Sequence, residues 1–257
     1  IKIESSTIGS HAFENFGKTF TLTFTLSGTS SISEYAFYSS GIQHSLLFNG
    51  STINSIGTKA FAKCAGLDKD LTIIDDLTIN SYAFEGCNFK NIKIDGKQNI
   101  GQSAFEGHGP ITSLVIGEEE TDYSNDNYPE SSIGKRAFYG VQINSLEIHS
   151  SVFKIEEYAF AKLILPKNYI LNIYATTIDA FAFSQCTPIH QLNIYSKNVY
   201  FHAFDGTKID ELTIDYKDKN YDKNDSPVIS IQAFYNLEIG SLTIGKEYVI
   251  EKSAFWN

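Results

Sequence analysis

The motif Ile/Val-x-x-x-Ala-Phe recurs eleven times along this chain, ending at Phe13, Phe37, Phe61, Phe84, Phe105, Phe138, Phe160, Phe183, Phe204, Phe234 and Phe255. Four residues before every Ala stands an Ile or, once, Val199. Successive copies lie 21 to 24 residues apart except twice. A period of that length constrains the fold more than any other feature, because so short a unit cannot bury a core alone and gains stability only by stacking on its neighbours. Ala is small enough for a tight turn against the next copy. One Phe per bend stacks into a continuous structural spine, with Phe61, Phe84, Phe105, Phe138 and Phe160 at its centre.

Nine to twelve residues after the Ala comes an apolar-x-apolar unit, as at Leu22, Leu71, Leu114, Leu146, Leu171, Leu192, Leu212 and Leu242. Alternation with period two is the strand signature. At a fixed register each such strand can pair only with its counterpart in the next coil, giving a parallel sheet with neighbours about 4.8 Å apart. The expectation is a single elongated solenoid over residues 1–257 with one short strand per coil, eleven counting the opening unit at Ile1, and not two domains.

Taken in order, the strand, the β-branched residue, three variable positions, Ala-Phe and often a Cys three residues after the Phe resemble the BspA-like leucine-rich repeat family of bacterial and protist surface proteins. The resemblance covers essentially the whole chain. It departs where family strands commonly end in Ile-Pro, since Asp95, Gly117, His149 and Tyr174 follow the strands here. The resemblance implies a leucine-rich-repeat solenoid wound as a right-handed superhelix, with turns or short helical segments opposite the sheet. It also implies extracellular or cell-surface display and adhesion to host cells or matrix proteins.

Charge narrows the choice of partner. A formal net charge of -10 supplies no basic footprint for nucleic acid or an anionic membrane. No apolar run approaches the roughly 20 residues that span a bilayer. The chain lacks Met, even at position 1, and opens inside a repeat, so it reads as a slice of a longer protein whose signal, anchor and caps lie elsewhere.

Side chains that usually carry chemistry fall into the repeat instead. Cys64, Cys87 and Cys186 share one position, four residues after the Ala, where other copies place Phe16, Val141, Leu163 or Leu237. They read as small buried hydrophobes, although Cys64 and Cys87 sit in adjacent coils where a disulfide is conceivable. The six histidines make no ligand spacing and read as surface residues. Motifs for hydrolysis and phosphate binding are missing. No cofactor and no metal is expected. In the run Asp218, Asn220, Asp222 and Asn224 the alternation mimics a calcium loop, but Lys223 and Ile229 replace its Gly and Glu, and an Asn/Asp turn explains the same letters. Sequons occur at Asn49 and Asn224.

The two long spacings hold insertions, at 117–132 and 215–230, each following a strand and so leaving the same rim four strands apart, about 19 Å. They carry Asp122, Tyr123, Asp126, Tyr128, Asp218, Tyr221 and Asp222. Such insertions either take part in function or are plain solvated loops. Between them the outward strand positions include Glu147, His149, Asn172, Tyr174, Asn193, Tyr195, Glu211 and Asp215, with Tyr174 beside Tyr195 and Asn172 beside Asn193. Aromatic residues mark recognition surfaces, while a half-exposed sheet that merely stays soluble accounts for the same pattern. The reading is a non-enzymatic binding or adhesion module for a protein or glycan on a host-cell surface or in extracellular matrix. The alternative is a structural spacer or stalk, and a carbohydrate-active enzyme comes third.

Overall fold

The computed structural model of the chain describes residues 2–3, 7–21, 23–24, 30–49, 53–74, 76–96, 99–118, 131–149, 152–216 and 226–256. Nine of the apolar-x-apolar units, from Leu46–Asn49 to Glu238–Ile244, form one parallel sheet in which each strand pairs with the equivalent strand one coil away. This is the major sheet. Lys2–Ile3 and Thr23–Phe24 pair in the same parallel manner on their own.

Each coil holds a second strand where one was expected. The β-branched residue four before the Ala ends a strand of its own, and eleven of these, from Thr7–Ile8 to Val249–Ile250, build a parallel minor sheet. Most are two residues long, with the Ile inward: Ile32, Ile56, Ile79 and Ile155 are all fully buried. Two residues are too few for alternation to show in a sequence, but the rule that no copy breaks, an aliphatic at that place, is the buried half of the pattern. The third side of the coil is made of turns, and the described residues contain no helix.

The Ala-Phe pair sits in those turns, and backbone geometry explains why. The residue just before the Ala has positive φ in every copy, from 53° at Gln232 to 59° at Tyr158. Ala36 N–H closes the turn on Ser33 O, and Ala60 N–H on Gly57 O, as in a turn whose third residue is left-handed. No copy spends a Gly there. The strain of a left-handed side-chain-bearing residue, about 1 to 2 kcal/mol, is offset by bonds between coils: Tyr35 N–H donates to Thr58 O, Phe37 to Ala60 O and Ser39 to Ala62 O. Two residues after the Phe, φ is positive again, and here Gly86, Gly107, Gly140 and Gly206 take the place in four copies. The Gly of "IGTKAF" has a different reason. A Cβ on Gly57 would lie 2.6 Å from Glu34 N in the preceding coil.

All eleven Phe rings form the expected spine. Consecutive centroids lie 4.8 Å (Phe105 to Phe138) to 5.5 Å (Phe61 to Phe84) apart and the rings are nearly parallel. The ring spacing matches the strand spacing of about 4.8 Å, so one side chain per coil can stack without any coil shifting. The nine from Phe37 to Phe234 are fully buried, and only the end rings, Phe13 and Phe255, are partly exposed.

The three cysteines are free and buried, so the conceivable Cys64–Cys87 bridge is not formed. Each thiol donates to the Phe carbonyl of the preceding coil: Cys64 Sγ to Phe37 O at 2.9 Å, Cys87 to Phe61 O at 3.1 Å and Cys186 to Phe160 O at 3.3 Å. Thr207 Oγ1 makes the same bond to Phe183 O at 2.9 Å. Where the position carries Cys or Thr, its donor is satisfied by that carbonyl; Val141, Leu163 and Leu237 fill the same place with apolar bulk alone. Burial pushes all three thiols up, Cys186 to about 12, and thiolate is the reactive form. Iodoacetamide should therefore leave the native chain unmodified at pH 8 and label all three once the chain is unfolded, as mass spectrometry would show. Rapid native labelling would contradict the core assignment.

His108 corrects the expectation of surface histidines. It occupies this same cysteine position and is 7% exposed. Its Nε2 accepts from Phe89 N–H at 3.1 Å and its Nδ1 donates to Gly109 O at 2.7 Å, which fits a neutral ring.

Candidate functional site

Period two decides what the major sheet presents to solvent. In Ile170–Ile173, Leu171 and Ile173 are buried, whereas Ile170 is half exposed and Asn172 half-buried. Pairing then aligns equal positions of successive coils: Asn172 with Asn193 and Thr213, and Ile170 with Gln191 and Glu211. Outward side chains consequently form rows along the solenoid.

A third row begins just past each strand. His149 N–H donates to Ile116 O, Tyr195 N–H to Ile173 O and Asp215 N–H to Ile194 O, each the last strand residue of the coil before. Since Ile148 pairs with Ile173, Tyr174 takes its place after His149, and the row reads His149, Tyr174, Tyr195, Asp215. Tyr174 and Tyr195 stack at 4.7 Å with 10° between their planes. His149 Nε2 lies 3.6 Å from Glu147 Oε2, with Glu147 the more exposed of the two. Glu211 stands exposed beside Gln191. At the corner near Asp215, Tyr248 O–H donates to Ser196 O at 2.6 Å, and burial above all raises the pKa of its phenol.

One outward position is not free to touch a partner. Asn193 Nδ2 donates to Asn172 Oδ1 at 2.8 Å and Gln191 Nε2 donates to Asn193 Oδ1 at 3.3 Å, which leaves Asn193 only 8% exposed. It points outward as expected, but its neighbours cover it, so it ties the amide row together.

Both insertions leave the corner where this row lies. One follows Ile116, the other Ile214, and the chain rejoins the minor sheet at Ser132 and Val228. The strands before them, Ser113–Ile116 and Lys208–Ile214, stand four places apart in the major sheet. Asp122, Tyr123, Asp126, Tyr128, Asp218, Tyr221, Asp222 and the sequon at Asn224 lie outside the described residues. Asn49, the other sequon, ends the strand Leu46–Asn49. Among the described residues no group of three His, Cys, Asp or Glu side chains is placed to hold a metal ion.

A second set of rows, on the turn side, escaped the reading of the sequence. The residue before the Ala is Tyr35, Tyr82, Tyr158 or Phe181 in four copies and His11 or His202 in two more. Tyr158 stacks on Phe181 at 5.0 Å, and His202 on Tyr235 at 4.7 Å. Reading every column of the repeat, and not only its apolar ones, would have found them.

Chemically the major-sheet face offers contact: aromatic area, amides and carboxylates held in register by the backbone. No curated protein and no solved structure matches the chain. The family described as the BspA type Leucine rich repeat region matches it in 6 copies, over residues 1–112 and 127–225. With most of its length matched and two parallel sheets stacked coil on coil, the chain belongs to the BspA-type leucine-rich repeat family.

Proposed function

We propose that the chain is a non-catalytic recognition module, displayed extracellularly or on a cell surface, that engages a protein or glycan through the major-sheet face between the two insertions. Members of its family are typically surface proteins. None of the helices that would cross a membrane is found among the described residues. The observation that carries the reading is the pairing of the stacked Tyr174 and Tyr195 with the bonded Asn172 and Asn193 beside them. Side chains ordered before a partner arrives lose little freedom on binding, and aromatic residues are the usual centres of binding energy. A sheet face spanning several coils suits a large partner better than a small molecule.

The experiment is a double variant, Tyr174→Ala with Tyr195→Ala, tested by surface plasmon resonance against matrix proteins and glycans and by adhesion to host cells. Binding should weaken about thirtyfold, the equivalent of a hot spot of about 2 kcal/mol, while the urea midpoint stays nearly unchanged. A partner held equally well by the double variant would show that this face is not the site.

The unbroken Phe spine favours a second reading, a stiff spacer within a longer surface protein. A spacer engages no partner of its own, so adhesion of the longer protein would survive the same double variant.

A further inference from the structure

We propose that a groove on the turn side, framed by Tyr139, Tyr158, Phe181, Lys162, Gln185 and Asp205, binds one pyranose ring of an uncharged glycan. This site lies apart from the major-sheet face and does not rest on that face being functional.

The groove follows from the repeat. Each turn presents three neighbouring positions: the left-handed residue before the Ala, the residue after the Phe, and the second left-handed residue. In the coils of Phe160 and Phe183 the middle position is Ala161 or Ser184, 1% and 4% exposed. Tyr158 and Phe181 rise on one side of this floor, Lys162 and Gln185 on the other. One coil earlier the middle position is Tyr139 and one coil later Asp205, and these close the ends. The space between them, half open to solvent, is about 210 Å³.

Its walls are fixed. Tyr158, Phe181, Lys162 and Gln185 hold φ of 59°, 58°, 57° and 56°. Lys162 N–H donates to Ser184 O and Gln185 N–H to Asp205 O, both at 2.8 Å. The rings of Tyr158 and Phe181 stand 9° from parallel. The Arg136 guanidinium covers Tyr139 at 3.9 Å and Lys162 Nζ stands 5.4 Å from the same ring. Asp205 Oδ2 accepts from His202 Nδ1 at 3.0 Å.

Chemistry selects the occupant. An aromatic cage often takes a quaternary ammonium, but here the Lys162 ammonium lines the space and repels a cation. An anion would face the Asp205 carboxylate. One charge of each sign suits a neutral ligand. Ser184 and Gln185 both donate and accept, Lys162 donates and Asp205 accepts, a set that matches a ligand bearing many hydroxyls. Tyr158 and Phe181 stack face to face, so it is the apolar edges of their rings that form one wall of the space and receive C–H groups. At about 210 Å³, the groove is smaller than the roughly 300–1,000 Å³ of drug-sized sites, which leaves room for a single ring. A pyranose combines an apolar C–H face, a rim of hydroxyls and no charge.

Saturation-transfer NMR on the full chain tests this with lactose, cellobiose and chitobiose at millimolar concentration, beside choline and sialyllactose as charged probes. At least one neutral disaccharide should receive saturation, strongest on the C–H protons of one ring. Phe181→Ala should weaken its binding about tenfold or more. Ser184→Tyr should abolish it by filling the floor, and the fold accepts that change because Tyr38, Tyr139 and Tyr235 occupy the same repeat position. The Tyr174→Ala, Tyr195→Ala double variant should bind the sugar as the parent chain does, so failure of one site is separable from failure of the other. The proposal falls if none of the three neutral sugars binds, if binding survives both groove variants, or if choline or sialyllactose binds in their place.

Discussion

Replacing Phe105 with Ala should cost the chain about 3 to 5 kcal/mol, the range for emptying a buried aromatic site. The ring is fully buried and stacks on both neighbours, at 5.2 Å to Phe84 and 4.8 Å to Phe138. Neither neighbour can move in to fill the gap without leaving its own partner, so the cavity stays open. A coil in a solenoid rests only on its neighbours, and the loss therefore weakens two interfaces at once. Phe13→Ala, at the half-exposed end of the spine, should cost less. Lys135→Ala, which loses a partly exposed ion pair with Glu157, should hardly move the urea midpoint. Equal shifts for Phe105→Ala and Lys135→Ala would show that the rings do not hold the coils together.

Acidification should expose the second large effect, at His108. Burial is the main cause that lowers its pKa to about 4; the bond to Gly109 O opposes this in part, and the charge of Lys90 adds to it. In the unfolded chain the ring has an ordinary pKa near 6.5. As pH falls below that value the unfolded chain takes up a proton that the native chain refuses. The stabilisation is thus complete above about pH 6.5 and is lost as pH falls toward 4, in total about 3 kcal/mol. Other groups titrate in the same window, so the informative quantity is a difference. Urea unfolding between pH 7 and 4 should show a smaller loss for His108→Gln, which keeps an acceptor for Phe89 N–H and does not titrate. Parallel pH curves for the two proteins would mean that His108 is solvated in the native state.

Legibility in the sequence followed the repeat. The Ala-Phe column located the spine because an unbroken period leaves one side chain per coil nowhere to go but onto its equivalent. Tyr174 beside Tyr195 was legible for the same reason, since register alone sets that pair. The minor sheet was not, because a two-residue strand such as Thr78–Ile79 has no alternation to detect. The left-handed residue before the Ala was hidden as well: Lys59 and Tyr82 carry no sign of it, and what holds them there is bonding to the next coil. His108 was misread because it was weighed as a histidine, although its column already contained Cys64, Cys87 and Cys186. The covering of Asn193 depends on how two neighbouring amides turn, which no column of letters encodes.

Both parallel sheets bond each coil to the next, so their backbone hydrogen bonds point along the axis of the stack. A pull applied at the two ends would load those bonds lengthwise. They would open a coil at a time, as teeth part in a zip, and would not resist together as they do when strands are dragged past one another in shear. Each released coil of 21 to 24 residues can extend to about 3.3 to 3.6 Å per residue, against about 4.8 Å of height in the stack. Under tension such a rod would pay out slack in roughly equal steps, acting as a yielding tether between whatever its two ends hold.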